Sequence, residues 1–97
     1  SSDLEVASIQ EAEKRAKGCL VIDIRERDEE PELAIDHLRI PLSEWVNPRT
    51  KGPLVLCCAS GVRSLQLVMK LRSEGVDEAY SLKGGICGLG RSHVEPQ

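Results

Sequence analysis

The stretch Pro53-Leu54-Val55-Leu56-Cys57-Cys58-Ala59-Ser60-Gly61-Val62-Arg63-Ser64-Leu65 decides how this chain is read. It begins as a short, continuous apolar run, bounded by Gly52 upstream and Gly61 downstream, which is the pattern of a strand buried on both faces. From Arg63 or Ser64 the period changes: Leu65, Val68, Met69 and Arg72 share a helical face, and Gly75 offers a C-terminal stop. The segment therefore reads as strand, tight loop and helix. A cysteine at that strand end faces loop N–H groups and the positive end of a helix dipole, and Arg63 adds a full charge. An ordinary thiol of pKa ~8.5 is only a few per cent ionised at neutral pH. This setting lowers that value and makes Cys58 a nucleophile rather than a small buried hydrophobe.

Working outward, the chain alternates strands and helices. Ser8 and Glu11 form a capping box opening a helix in which Ile9, Ala12 and Ala16 share a face, and Gly18 closes it. Cys19 to Ile24 reads as a strand, Glu26 to Ala34 as a segment with a short helix, and Leu38 to Ile40 as a short strand. Ser43 is placed to cap a helical turn containing Trp45 and Val46, with Trp45 as a packing residue. Ala79 to Leu82 reads as a further strand, and a final turn or short helix starts at Ile86. Short apolar strands separated by helices imply an α/β fold: a small three-layer domain with a central, mainly parallel sheet flanked by helices and right-handed crossovers.

At 97 residues the chain is expected to form one domain spanning 1–97 around one core. A net charge of −3 gives no electrostatic case for nucleic acid. The acidic group Glu26, Asp28, Glu29, Glu30 and Glu32 reads as a solvated helix start. No stretch is long enough for a membrane span and the N-terminus lacks a basic-then-apolar signal, so the expected setting is the cytoplasm, away from membranes. The four cysteines, Cys19, Cys57, Cys58 and Cys87, contain no Cys-x-x-Cys pair, so neither a zinc site nor a disulfide framework is expected. Cys19 reads as core, and Cys87 as a thiol near the same end of the sheet as Cys58. His37 and His93 lack a recognisable catalytic partner in sequence.

In a parallel sheet, ligands collect beyond the carboxyl ends of the strands. Asp23 and Arg25 end one strand and Cys58 ends another. Asp23 is then a buried acceptor bracing the catalytic loop or its neighbour, and Arg25 a surface or loop-bracing cation, both supporting the site.

Three further stretches stand in order around the cysteine loop: Val21-Ile22-Asp23-Ile24-Arg25-Glu26, Ile40-Pro41-Leu42 and Leu82-Lys83-Gly84-Gly85-Ile86. Together with Cys58-Ala59-Ser60-Gly61-Val62-Arg63-Ser64 they resemble the rhodanese (sulfurtransferase) domain family over most of residues 20–89. That family places Cys-x-x-Gly-x-Arg-Ser between a strand and a helix. The chain departs from it in a compressed stretch at Ala34–Arg39, in Cys57 where an aromatic residue or histidine is usual, and in Gly88-Leu89 where a tryptophan is common.

The resemblance implies sulfane-sulfur transfer by double displacement through a persulfide on Cys58. Arg63 would keep the anion favourable, and Ala59, Ser60, Gly61, Val62 and Ser64 would form the substrate-binding loop, without metal or cofactor. The donor would be thiosulfate, a polysulfide or a persulfide on a small molecule or protein, and the acceptor a thiophilic molecule or protein thiol. Ala59, Ser60 and Val62 are neutral, so a thiosulfate dianion would be drawn in mainly by Arg63 and the backbone amides. Two other readings stay open. Counted from Cys57, the loop to Arg63 has the spacing of the cysteine phosphatases and arsenate reductases of related fold. A noncatalytic rhodanese-like binding module is the other, although such modules commonly lack the cysteine that is present here.

Overall fold

The computed structural model describes residues 4–15, 18–29, 36–48 and 52–86. Among the described residues five strands form one sheet: β1 (Glu5–Val6), β2 (Leu20–Asp23), β3 (Leu38–Arg39), β4 (Leu54–Cys57) and β5 (Ala79–Leu82), in the order β1-β5-β4-β2-β3. Every pairing among the described residues is parallel, in keeping with the expected mainly parallel sheet. Helix α1 (Ile9–Arg15) and helix α2 (Val62–Ser73) cover opposite faces, with a 3-10 turn at Leu42–Glu44.

Strand alternation sorts the core into two layers. On the α2 side Ile22, Ile24, Leu54, Leu56, Cys58 and Ala79 meet Leu67, Val68 and Leu71. On the α1 side Val6, Val21, Val55, Cys57, Leu82 and Ile86 meet Ala12. The strands are short apolar runs because both faces are covered, as parallel sheets require. Trp45 packs against the α2-side core, and Cys19 is half-buried at the edge of the α1-side core.

Helix α1 starts as the Ser8 and Glu11 pattern predicts: the Glu11 N–H donates to Ser8 Oγ at 3.0 Å. The Glu11 carboxylate returns to the Ala7 N–H at 2.6 Å, one residue earlier than in the usual box. At the other helix, Gly75 takes φ 95°, and the Val76 N–H donates to Leu71 O at 2.9 Å, closing α2 in a Schellman motif.

Several expectations are corrected. The inward face of α2 is Ser64, Leu67, Val68 and Leu71, while Met69 is 54% exposed; the helix is rotated because buried Ser64 finds polar partners beneath it. Ser43 does not cap a helix containing Trp45 and Val46. The turn lies earlier, at Leu42–Glu44 behind Pro41, and the Ser43 hydroxyl donates instead to Glu26 Oε1 at 2.7 Å. Edge strand β1, which the sequence reading lacked, pairs with β5 through Glu5–Ser81 and Val6–Leu82. The expected helical turn within Glu26–Ala34 falls mostly outside the described residues, as do Cys87, Gly88-Leu89 and His93. Among the described residues no helix is long and apolar enough to cross a membrane.

β2 and β4 are neighbours whose next strands lie on opposite sides, β3 beyond β2 and β5 beyond β4. Such a reversal opens a crevice at the carboxyl ends of the two strands.

Candidate functional site

Cys58 follows the last residue of β4, and the chain turns at once through Ala59, Ser60 and Gly61 into α2. Gly61 adopts φ 92°, a left-handed conformation that places the first amides of α2 beneath the thiol. The Gly61 N–H donates to Cys58 Sγ at 3.1 Å and the Ser64 N–H at 3.4 Å, with Ser64 Oγ 3.5 Å away. Burial pushes the Cys58 thiol up, but hydrogen bonds from the Ser64 hydroxyl and from the N–H groups of Ser64, Gly61 and Ser60 outweigh it and leave it below its ordinary value. Cys58 is fully buried.

Beneath Ser64 lies a residue the sequence reading missed. Ser81 Oγ is 2.6 Å from Ser64 Oγ and 3.5 Å from the Gly61 carbonyl, with both serines fully buried. When Cys58 is a neutral thiol, a chain of donors can run from Sγ through Ser64 and Ser81 to Gly61 O. When Sγ is anionic, the hydroxyls can turn to donate toward it, so the thiolate stays satisfied without water. Ser81 was legible only as a polar residue inside a strand.

The turn at Gly84-Gly85 presses on the loop from the other side. The Ile86 N–H donates to Cys58 O at 2.8 Å. A Cβ at Gly85 would lie 2.3 Å from Cys58 O and 2.5 Å from Ala59 O, and one at Gly61 would lie 3.0 Å from Gly84 N. Glycine is required because backbone meets backbone.

Cys57 is turned to the other layer. Its thiol is pushed up to about 12, first by burial and then by the charges of Asp23 and Cys58. Asp23 is its register partner across β2 and β4, so the two strand ends meet beside Cys57. Arg25 is buried at 2% exposure rather than a surface cation. Its Nε and Nη2 donate to Asp23 Oδ1 and Oδ2 at 3.1 and 3.0 Å. The Asp23 carboxylate also lies 3.7 Å from Arg39 Nη1.

Arg39 extends this pairing to the loop after β2. It donates to the carbonyls of Arg25 at 3.3 Å, Glu29 at 3.2 Å and Glu26. That loop is closed by the Glu29 N–H donating to Glu26 O at 3.1 Å and the Glu26 N–H donating to Glu29 Oε2 at 2.8 Å. Glu29, read from sequence as part of a solvated acidic run, instead meets Arg63: Nη1 and Nη2 donate to its two carboxylate oxygens at 2.9 Å each. The bidentate hydrogen bond brings the Glu29 carboxyl down to about 2 and raises Arg63 above its usual value, Cys58 adding a smaller upward push. Around the site, Ala59 is half-buried, Ser60 exposed and Val62 59% exposed. Beside Arg63 runs a cleft lined by Leu42, Ser43, Trp45, Gln66, Leu67 and Lys70. Among the described residues, no cluster of histidine, cysteine or carboxylate groups could hold a metal ion.

No family model matches the chain. The uncharacterized protein YqhL of Bacillus subtilis strain 168 is 38% identical over 71 residues, which is 68% of this chain, and the chain spans only 56% of that protein's length. Among solved structures, a NAD-dependent persulfide reductase from A. fulgidus is 26% identical with a TM-score of 0.61, covering 76% of this chain and 14% of that one. A rhodanese homolog from the extremely thermophilic bacterium Thermus thermophilus is 37% identical with a TM-score of 0.57, covering 75% of this chain and 85% of that one. At that identity and coverage, on a shared parallel α/β fold, the chain belongs to the rhodanese-like domain family.

Proposed function

We propose that this domain is a sulfurtransferase that carries a sulfane sulfur on Cys58. The observation behind this reading is the cradle around Sγ: two N–H groups within 3.4 Å and the Ser64 hydroxyl at 3.5 Å favour an anionic sulfur there. The Cys58 thiolate attacks the outer sulfur of the donor, forming a sulfur–sulfur bond as the donor's own sulfur–sulfur bond breaks. Thiosulfate would leave as sulfite, and an organic persulfide as its thiolate. An acceptor thiolate or cyanide then attacks the outer sulfur and returns Cys58 to the thiolate. The hydrogen bonds that lower the Cys58 thiol favour the thiolate, so the step calls for no separate general base.

Four residues separate Cys58 from Arg63, a shorter loop than the five counted from Cys57, which favours a single sulfur atom over a tetrahedral phosphate as its occupant. A phosphatase built on Cys57 has less support, because that thiol packs among Val6, Ala12 and Val21 on the other face of the sheet. A purely binding module has no use for a thiol held in an amide cradle. Cys58 is buried, so a donor reaches Sγ only through a transient opening beside it. The test is intact-mass spectrometry after incubation with polysulfide or thiosulfate. One added sulfur on Cys58, removed by cyanide, is expected; no adduct on Cys58 with any sulfane donor would overturn the reading.

A further inference from the structure

The pairing of Arg63 with Glu29 changes what the site attracts. Arg63 was the cation expected to draw in a dianion, yet both of its terminal nitrogens are engaged by one carboxylate in a planar, bidentate pair. The Glu29 carboxyl is brought down to about 2, so the pair is formed at any ordinary assay pH. Neighbouring cations are committed as well: Arg25 to Asp23, Arg27 to Glu44 and Arg39 to the loop carbonyls. Lys70 also lines the cleft, but two helical turns beyond Arg63, about 10 Å along the axis. Glu26 adds a further carboxylate, held by Ser43. The cleft beside Arg63 offers Leu42, Trp45 and Leu67 as apolar surface, which an organic group could cover and a thiosulfate ion would leave bare.

We propose that Glu29 is the specificity-determining residue of this site: by neutralising Arg63 it turns the loop away from dianionic thiosulfate and toward an organic persulfide carrying one negative charge. This rests on the sulfurtransferase reading above. In the favoured step Cys58 thiolate attacks the terminal sulfur of R–S–S⁻ while the inner sulfur takes up a proton from solvent: the donor's sulfur–sulfur bond breaks, R–SH leaves and the anionic Cys58 persulfide remains.

The experiment compares single-turnover persulfidation of Cys58 by thiosulfate and by 2-hydroxyethyl persulfide. Glu29→Gln, nearly isosteric, should raise the thiosulfate rate constant about tenfold, as expected for removing one charge close to a dianion, and change the hydroxyethyl persulfide rate less than about threefold. Glu29→Asp keeps the charge and should leave the thiosulfate rate low. In the unaltered protein, the thiosulfate rate should vary little with ionic strength. A steep fall with added salt in that protein would reveal an open cationic mouth and overturn the inference. So would an unchanged or lower thiosulfate rate in Glu29→Gln, or an equal rise for both donors. Persulfide from neither donor would instead sink the sulfurtransferase reading and this inference with it.

Discussion

Cys57 and Cys58 are adjacent in sequence and live in different media. One faces the α1 layer among Val6, Ala12, Val21, Val55 and Leu82, with the Asp23 carboxylate at the same register position. The other faces the α2 layer, where the Gly61 and Ser64 amides and the Ser64 hydroxyl converge on its sulfur. Both are buried, and burial pushes both thiols up. What separates them is hydrogen bonding to the anion, since Cys57 has a carboxylate near it and Cys58 has donors. Burial alone therefore does not decide whether a cysteine is inert; the polarity of the groups it is buried against does.

The largest test of this contrast removes each sulfur in turn. Cys58→Ser should abolish persulfide formation in a folded protein, whereas Cys57→Ser should keep transfer and lower stability by about 1–3 kcal/mol by burying a poorly partnered hydroxyl. Transfer lost from Cys57→Ser and retained by Cys58→Ser would reverse the assignment, and denaturant unfolding measures the stability difference. The next effect comes from the turn supporting only the Cys58 side. Gly85→Ala puts a methyl into Cys58 O and should cost about 2–4 kcal/mol and slow persulfidation. Gly52→Ala, where nothing lies within 4 Å of the added methyl, should cost about 1 kcal/mol and leave transfer intact.

A smaller effect sharpens the electrostatic half of the comparison. In iodoacetamide alkylation followed by mass spectrometry, Cys58 should show a pH midpoint below that of a free thiol, while Cys57 stays unreactive until the protein unfolds. The midpoint is the diagnostic quantity, because burial slows alkylation at every pH. Ser64→Ala should move the midpoint upward, and an unmoved midpoint would show that the hydroxyl contributes nothing.

The smallest effect concerns Glu29. Its folded value near 2 lies below the 4.5 of an unperturbed glutamate, so its contribution to stability is complete above pH ~4.5 and lost as pH falls toward 2. Both side chains are about a third exposed, so the contribution is at most about 1 kcal/mol. Thermal melts of the native protein and Glu29→Gln should converge across that window, and parallel curves would remove the pair from the stability account.

The strand-loop-helix unit around Cys58 was legible because local signals agree there: an apolar run, a glycine in the turn and a cation before a change of period. The α1 start, β5 and the parallel architecture were legible for the same reason. What escaped depends on partners distant in sequence. β1 has two residues, too few for a periodic pattern, and exists because β5 offers it an edge. Ser64 spoiled the prediction of the α2 face because a polar residue turns inward only if something meets it, and Ser81 lies 17 positions away. Glu29 was hidden in an acidic run because nothing local distinguishes the carboxylate that meets Arg63, 34 residues on. Arg39 likewise acquires its place only once β3 pairs with β2.

The contact of Gly85 with the loop backbone has a consequence for how such a domain can diversify. The path of the chain from Cys58 to Gly61 is held by peptide groups and by two glycines, so the side chains of Ser60 and Val62, both exposed, contribute little to its shape. Those two positions, and half-buried Ala59, can be exchanged without redrawing the socket around the sulfur. The architecture separates a fixed chemical unit from a variable vestibule, so a library confined to residues 59, 60 and 62 should yield folded proteins with altered substrate preference.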